Sequence, residues 1–332
     1  MSTDKPTRIR SAVQADPINT HAVLPGQRLQ ALIERTRPAA PLATAIVQPV
    51  DAVALNGALE ATAHGLIAPV LVGPSAQIRA VAEQSGLDLA DIRIVDVGHA
   101  QEAATRAVTL VRTGEVEALM KGALHTEELM HAVVARHAGL RTEQRMSHVF
   151  VVDEPTYPRL LLITDAAINI MPDLMAKRDI VQNAIDLARA LGIEVPKVAI
   201  VCAVETINAK MQATLDAAAL CKMADRGQII GGTLDGPLAL DNAVSPEAAT
   251  TKHIRSEVAG RADVLVVPDL ECGNMIAKQL EYLGDAHLAG MVVGARVPIM
   301  LTSRADNMLS RLASCAVATR YRQWQREGGR GV

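Results

Sequence analysis

From residue 43 onward the chain alternates short apolar runs with longer stretches of helical spacing. TAIVQPV, PVLVGPS, IRIVDVG and EALMKGA are short apolar runs, which predicts strands. Between them, DAVALNGALEATAHG and AQEAATRAVTLVRTG repeat apolar positions at three- and four-residue intervals, which predicts helices. Strand and helix in turn make βαβ units, so the expected architecture is α/β: a largely parallel sheet covered on both faces.

The middle of the chain breaks this rhythm. HVFVVDE and YPRLLLITDAAI are separated only by the Pro155-Thr156 region, too short for a parallel crossover, which needs a dozen or more residues, so an antiparallel hairpin is expected. Alternation then resumes with KVAIVCAV, QIIGGT, ADVLVVPD and HLAGMVVG as strands. Near the end, VPIMLTSRADNMLSRLAS runs from a strand into a helix through Thr302, Ser303, Arg304 and Asp306. Asp306 suits the N-cap of that helix, where a side-chain oxygen meets orphan backbone donors. A corner at the carboxyl end of a strand is also where α/β proteins hold anions.

A length of 332 residues allows two ordinary domains or one large one. Charged residues make up 21% with a formal net charge of -3, so no overall field favours nucleic acid or an anionic membrane. One Phe, three Tyr and one Trp are the only aromatic rings apart from histidine; the core is therefore aliphatic, and platforms for stacking bases are lacking. Cys202, Cys221, Cys272 and Cys315 show neither pairing nor zinc-ligand spacing, which indicates free thiols in a reducing cytoplasm. The segment MSTDKPTRIRSAVQADPINTH has no apolar core of a signal peptide, and no run approaches the ~18 apolar residues of a membrane span. Residues 1–25 are expected to form a mobile arm or a subunit contact.

Neither a G-x-x-x-x-G-K-[ST] loop nor a dinucleotide-type G-x-G-x-x-G is present. Polar residues gather instead at strand tips: Lys121 with His125 and Thr126, Asp165 with Asn169, Glu205 with Thr206, Asp235 after Gly231-Gly232, and Asp269 with Asn274. Each alone suits a cap or turn; converging on one edge, they would make a ligand cleft. Arg141 and Arg145 precede the hairpin and suit either a surface pair or a phosphate contact. His125 and His131 are six apart, off the spacing of a helical zinc pair, so no metal site is expected.

Four stretches in order, MKGALHTEELM (120–130), TLDGPLALDNAVSP (233–246), VVPDLECGNMIAKQLEYL (266–283) and TSRAD (302–306), resemble the phosphate acetyltransferase and phosphate butyryltransferase family. The resemblance covers about residues 43–322. It implies an isopropylmalate-dehydrogenase-like fold, with two α/β domains around a cleft. The first domain would be discontinuous, 1–152 plus 297–332, and the second 153–296. It also implies a homodimer.

The implied reaction moves an acetyl or short acyl group between coenzyme A and inorganic phosphate. Both are substrates, and no metal or redox cofactor is expected. Ser303 matches a family carbonyl or oxyanion donor, and Arg304 a phosphate clamp. Arg141 matches a family arginine for phosphate or coenzyme; Asn274 and Lys278 match a GN-x-x-x-K cleft element, and Asp235 lies in a matching motif. In acetyltransferase members an aspartate seven residues beyond the serine is proposed as thiol base; Ser310 stands there, so either Asp306, the nearest carboxylate, takes the role, or phosphate itself accepts the proton, or the cleft favours thiolate and no base is required. TSRAD is closer to the butyryltransferase branch, so acetyl and butyryl preference both stay open. The competing readings are a metal- and nicotinamide-dependent hydroxyacid dehydrogenase of the same fold, and a non-catalytic coenzyme-A-binding sensor.

Overall fold

The computed structural model describes residues 24–36, 38–302 and 306–329. The expected N-terminal arm falls almost wholly outside them, as do Ser303 and Arg304. The first half supplies strands β1 (Leu42–Val47), β2 (Ile67–Gly73), β3 (Arg93–Asp96) and β4 (Ala118–Lys121). Helices α1 (Gln27–Arg35), α2 (Ala52–Ala63), α3 (Ser75–Gln84), α4 (Ala100–Arg112) and α5 (Thr126–Val133) precede, separate and follow them. The expected hairpin is present: β5 (Ser147–Asp153) pairs antiparallel with β6 (Leu161–Thr164). Glu154 shapes its turn by accepting from the Thr156 amide at 2.9 Å.

The second half runs through α6 (Leu174–Ala190), β7 (Lys197–Val201), α7 (Gln212–Asp225), β8 (Thr233–Leu238), α8 (Leu240–Val244) and α9 (Pro246–Thr251). It continues with β9 (Val264–Val266), α10 (Leu270–Leu283), β10 (His287–Val293), β11 (Ile299–Met300) and α11 (Met308–Arg326). The strand expected at QIIGGT is displaced. Gly231 takes a left-handed φ of 86°, which ends any extended run there, and the strand forms over TLDGPL instead.

All these strands join one sheet of eleven, in the order β3-β2-β1-β4-β11-β10-β5-β6-β9-β7-β8. Seven of the pairings are parallel. The other three, each involving β5 or β10, are antiparallel. The chain therefore makes a mixed α/β fold in which two parallel arrays flank an antiparallel centre.

Period-2 alternation distributes the strand side chains between the two faces. On one face a single apolar layer crosses the whole sheet: Leu71, Ile46, Met120, Met291, Val149, Leu162, Val264 and Val198 all belong to it. α2, α6 and α11 cover that layer with residues such as Leu55, Val181 and Ala316. The opposite face carries two separate layers. One joins Val47, Val72, Leu119 and Val292 to α4 and α5. The other joins Val152, Ile163, Leu265 and Leu288 to α8, α9 and α10.

On β10, Val292 belongs to one of these layers and Leu288 to the other, with Gly290 between them. The β5 residues His148 and Phe150 pair in register with Val292 and Gly290. The centre of this face is thus a gap between two cores. Among the described residues no helix is long and apolar enough to cross a membrane.

Candidate active site

The gap is a cavity of about 600 Å³. Its floor is the bare sheet face: His148 and Phe150 of β5, Leu288 and Gly290 of β10, and Leu301 just after β11 all line it. The floor's centre is tight around glycine: a Cβ at position 290 would stand 3.0 Å from Nε2 of His148 and 3.2 Å from the Leu301 carbonyl oxygen, so a side chain there would crowd both. The His148 and Phe150 rings meet edge to face with centroids 4.4 Å apart, a favourable aromatic geometry.

The walls come from strand tips and helix starts: the tips carrying Lys121, Asn274 and Asp306 meet here, while Glu205, Thr206 and Asp235 of the expected cluster are not among the lining residues. Lys121 ends β4 with its ammonium donating to the carbonyls of Gly122 at 3.3 Å and Leu124 at 3.2 Å. The Thr302 hydroxyl donates to the Lys121 carbonyl at 3.0 Å, tying the last strand's exit to this tip. His125, Thr126 and Glu127 open α5 beside it and also line the cavity. Opposite them, α10 starts on Asp269, whose carboxylate caps the Cys272 amide at 2.9 Å.

Gly273 lets α10 approach closely, since a Cβ there would lie 2.6 Å from the Asp165 carbonyl oxygen. That approach sets Asn274 on the wall, with its amide donating to the Ala166 carbonyl at 3.4 Å. Lys278, one turn on, pairs with Glu281 at 2.7 Å and sits 5.4 Å from the Tyr282 ring centroid. Burial opposes its charge, but Glu281 and Asp306 hold its pKa above the usual lysine value; it stays an ammonium.

The loop carrying Ala166 and Ala167 is shaped by the buried Asp165. Its carboxylate accepts from the amides of His148, Ala167, Ile168 and Asn169 at 3.0–3.2 Å. Burial pushes the Asp165 pKa up, against the pull of those donors. The Arg145 guanidinium donates to Oδ1 of Asn169 in the same loop. Arg145 therefore serves the loop's shape, where the sequence left it as a surface or phosphate contact.

Of the residues singled out from sequence, Asn274, Lys278 and Asp306 are brought together on the cavity. Arg141 is not: it is exposed and bridges Ala295 beside the sheet. Asp235 is not either; it lies on the outermost strand β8, accepting from the Gly236 amide at 2.8 Å. Ser303 and Arg304 lie outside the described residues, while Thr302 and Asp306, which flank the 303–305 segment, both line the cavity.

One expectation at this corner needs correction. Asp306 is not the cap of α11: Asn307 is, accepting from the Ser310 amide at 2.9 Å. Ser310, at the position of the family's aspartate, is buried and is not among the cavity's lining residues. The Asp306 backbone carbonyl accepts from Nε of the buried Arg311 at 3.3 Å, and its carboxylate favours the charged forms of Lys278 and Arg311.

His148 and Phe150 were missed from sequence. The available signal was a histidine inside an otherwise apolar strand, SHVFVVD. His148 is 1% exposed, and burial pushes its pKa down to about 3. Its Nδ1 is sealed from solvent and meets no hydrogen-bond partner among the described residues.

Comparison with known proteins supplies the family. Residues 98–319 match the family model described as phosphate acetyl/butaryl transferase. A phosphate acetyltransferase of Rhizobium meliloti is 60% identical over 290 residues, covering 87% of this chain and 92% of that protein. A phosphate butyryltransferase of Clostridium acetobutylicum is 45% identical over 277 residues, covering 83% and 91%. Among solved structures, a branched-chain phosphotransacylase from Enterococcus faecalis superposes with a TM-score of 0.74 at 30% identity, over 84% of this chain and 98% of that one. With a family model spanning 222 of its residues and relatives matched along most of their length, this chain belongs to the phosphate acetyl/butaryl transferase family.

Proposed function

We propose that this chain catalyses reversible transfer of an acetyl or other short acyl group between coenzyme A and inorganic phosphate. The observation that carries the reading is the cavity itself. It joins an apolar floor of Phe150, Leu288 and Leu301 to a polar wall of Lys121, Asn274, Lys278 and Asp306, which suits an acyl group bonded to charged or polar partners.

In the phosphate-acylating direction, a phosphate oxygen adds to the thioester carbonyl carbon and the carbonyl π pair moves to oxygen. The tetrahedral intermediate then collapses with cleavage of the C–S bond, and sulfur leaves with the electron pair. From the sequence we assign Arg304 to clamp phosphate and Ser303 to donate to the carbonyl oxygen. Asp306 takes the thiol proton in the reverse direction, and Asn274 and Lys278 meet the polar part of the coenzyme or phosphate. Arg141, for phosphate or coenzyme, and Asp235 complete the substrate contacts that the resemblance implies, at positions outside the cavity lining.

We further propose that the cavity is the cleft between two α/β units of isopropylmalate-dehydrogenase-like arrangement, 1–152 plus 297–332 and 153–296. In the sheet, the crossing strands β5 and β10 interleave between them. A cytoplasmic homodimer completes the proposal.

The reading is tested by thiol release from acetyl-, propionyl- and butyryl-CoA with and without phosphate, in the presence and absence of EDTA. We expect release that requires phosphate and survives the chelator. Release that is abolished by EDTA and restored by magnesium or zinc would contradict the metal-free scheme; reduction of NAD by a hydroxyacid instead would contradict the reading altogether.

A further inference from the structure

We propose that His148 is a catalytic residue whose Nε2–H donates a hydrogen bond to the acyl carbonyl oxygen as negative charge develops there. The inference rests on the acyl-transfer reading above and adds to it a donor that none of the sequence motifs supplies.

His148 lies in β5 at the centre of the sheet, on the face that the two apolar layers leave uncovered, and its ring lines the cavity. Of the ring's two nitrogens, Nδ1 is sealed without a partner among the described residues. An unmet N–H is disfavoured more than an unmet lone pair, which puts the proton on Nε2. That nitrogen lies over Gly290, 3.0 Å from where a Cβ would stand, and Gly290 itself lines the floor. A larger residue at 290 would cover the donor, so the glycine keeps it open to a ligand.

Charge state then narrows the role. With a pKa of about 3 the ring is neutral at physiological pH, so it neither attracts phosphate as a cation nor removes a proton from a thiol. A neutral imidazole aimed at a carbonyl remains a competent polarising donor. The apolar surroundings strengthen such a bond, and Phe150, packed against the ring, excludes water from that side. During the reaction the imidazole keeps its proton: the carbonyl π pair moves to oxygen on attack, the hydrogen bond shortens, and the pair returns as the C–S bond breaks.

Three variants of the full chain, His148→Phe, His148→Gln and His148→Asn, test the assignment by turnover with acetyl-CoA and phosphate, calorimetric binding of coenzyme A, and thermal melting. His148→Phe keeps bulk and removes the donor together with the unpartnered Nδ1. It should lower kcat on the order of a hundredfold while leaving coenzyme A affinity within about twofold and the melting temperature no lower. Gln can place an N–H near the position of Nε2 whereas Asn places one near Nδ1, so the Gln variant should retain at least about tenfold more turnover than the Asn variant. Wild-type kcat in a folded Phe variant would overturn the proposal. If the Phe variant does not fold, equal turnover in the Gln and Asn variants would do the same. Absence of phosphate-dependent thiol release from the wild-type protein would instead remove the acyl-transfer reading, and this assignment with it.

Discussion

Burial holds the His148 imidazole at a pKa of about 3 against an ordinary 6.5, so between those values the unfolded chain binds a proton that the folded chain refuses. Folding stability therefore rises with pH across this window, and is lost as pH falls below about 6.5, by up to ~1.4 kcal/mol per pH unit from this one group. His148→Phe cannot take up that proton. Its denaturant midpoint should fall less steeply than the wild type's between pH 6.5 and 4, and parallel curves would show that the imidazole is not the group responsible. Little at this scale was legible in advance. A histidine in an apolar strand is ordinary, and its meaning came only from Gly290 on a strand some 140 residues away, which no local pattern connects to it. Asn274 and Lys278 were legible because one helix places both on the same wall, four residues apart. Arg141 and Asp235 lie off the cavity lining, and a motif match alone carries no information about the strand order that sets such a distance.

At the scale of elements, the start of α11 separates two jobs that the sequence assigned to one residue. A cap needs only an oxygen at the right turn, and Asn307 supplies it to the Ser310 amide, leaving the Asp306 carboxylate to the cavity wall. Asn307→Ala should cost about 1 kcal/mol of stability. Asp306→Asn should melt normally and, in the proposed base role, lose about a hundredfold in turnover; unchanged turnover would take Asp306 out of the mechanism. Reading TSRADNM linearly could not settle this, because Asp and Asn one residue apart are both good caps and helix boundaries are uncertain by one or two residues. The displacement of β8 has a similar origin. Ile229 and Ile230 look like strand residues, whereas Gly236 and Pro237 look like a turn. An outermost strand tolerates both, because proline's missing N–H matters little where one side has no neighbour, and β8 pairs only with β7.

For the whole molecule, alternation of strand and helix was enough to read α/β class and the central hairpin, since both follow from periodicity and connection length. The location of the cavity was not readable, because it depends on strand order. One apolar layer spans the sheet while the opposite face is covered by two layers that do not meet. The uncovered strip at β5 and β10 is the candidate site, and it is flanked by Thr302 and Asp306, on either side of the 303–305 segment. Among the described lining residues, the lysines Lys121 and Lys278 are set against the carboxylates Glu127, Glu281 and Asp306, so strong phosphate binding calls for the further cation that Arg304 would bring. The most direct test is the phosphate saturation curve for thiol release from acetyl-CoA, measured for the wild type and for Arg304→Gln. We expect saturable, phosphate-dependent release by the wild type, and a variant that folds normally with KM for phosphate raised at least tenfold and kcat lowered. A folded Arg304→Gln protein with the wild-type phosphate curve would contradict it.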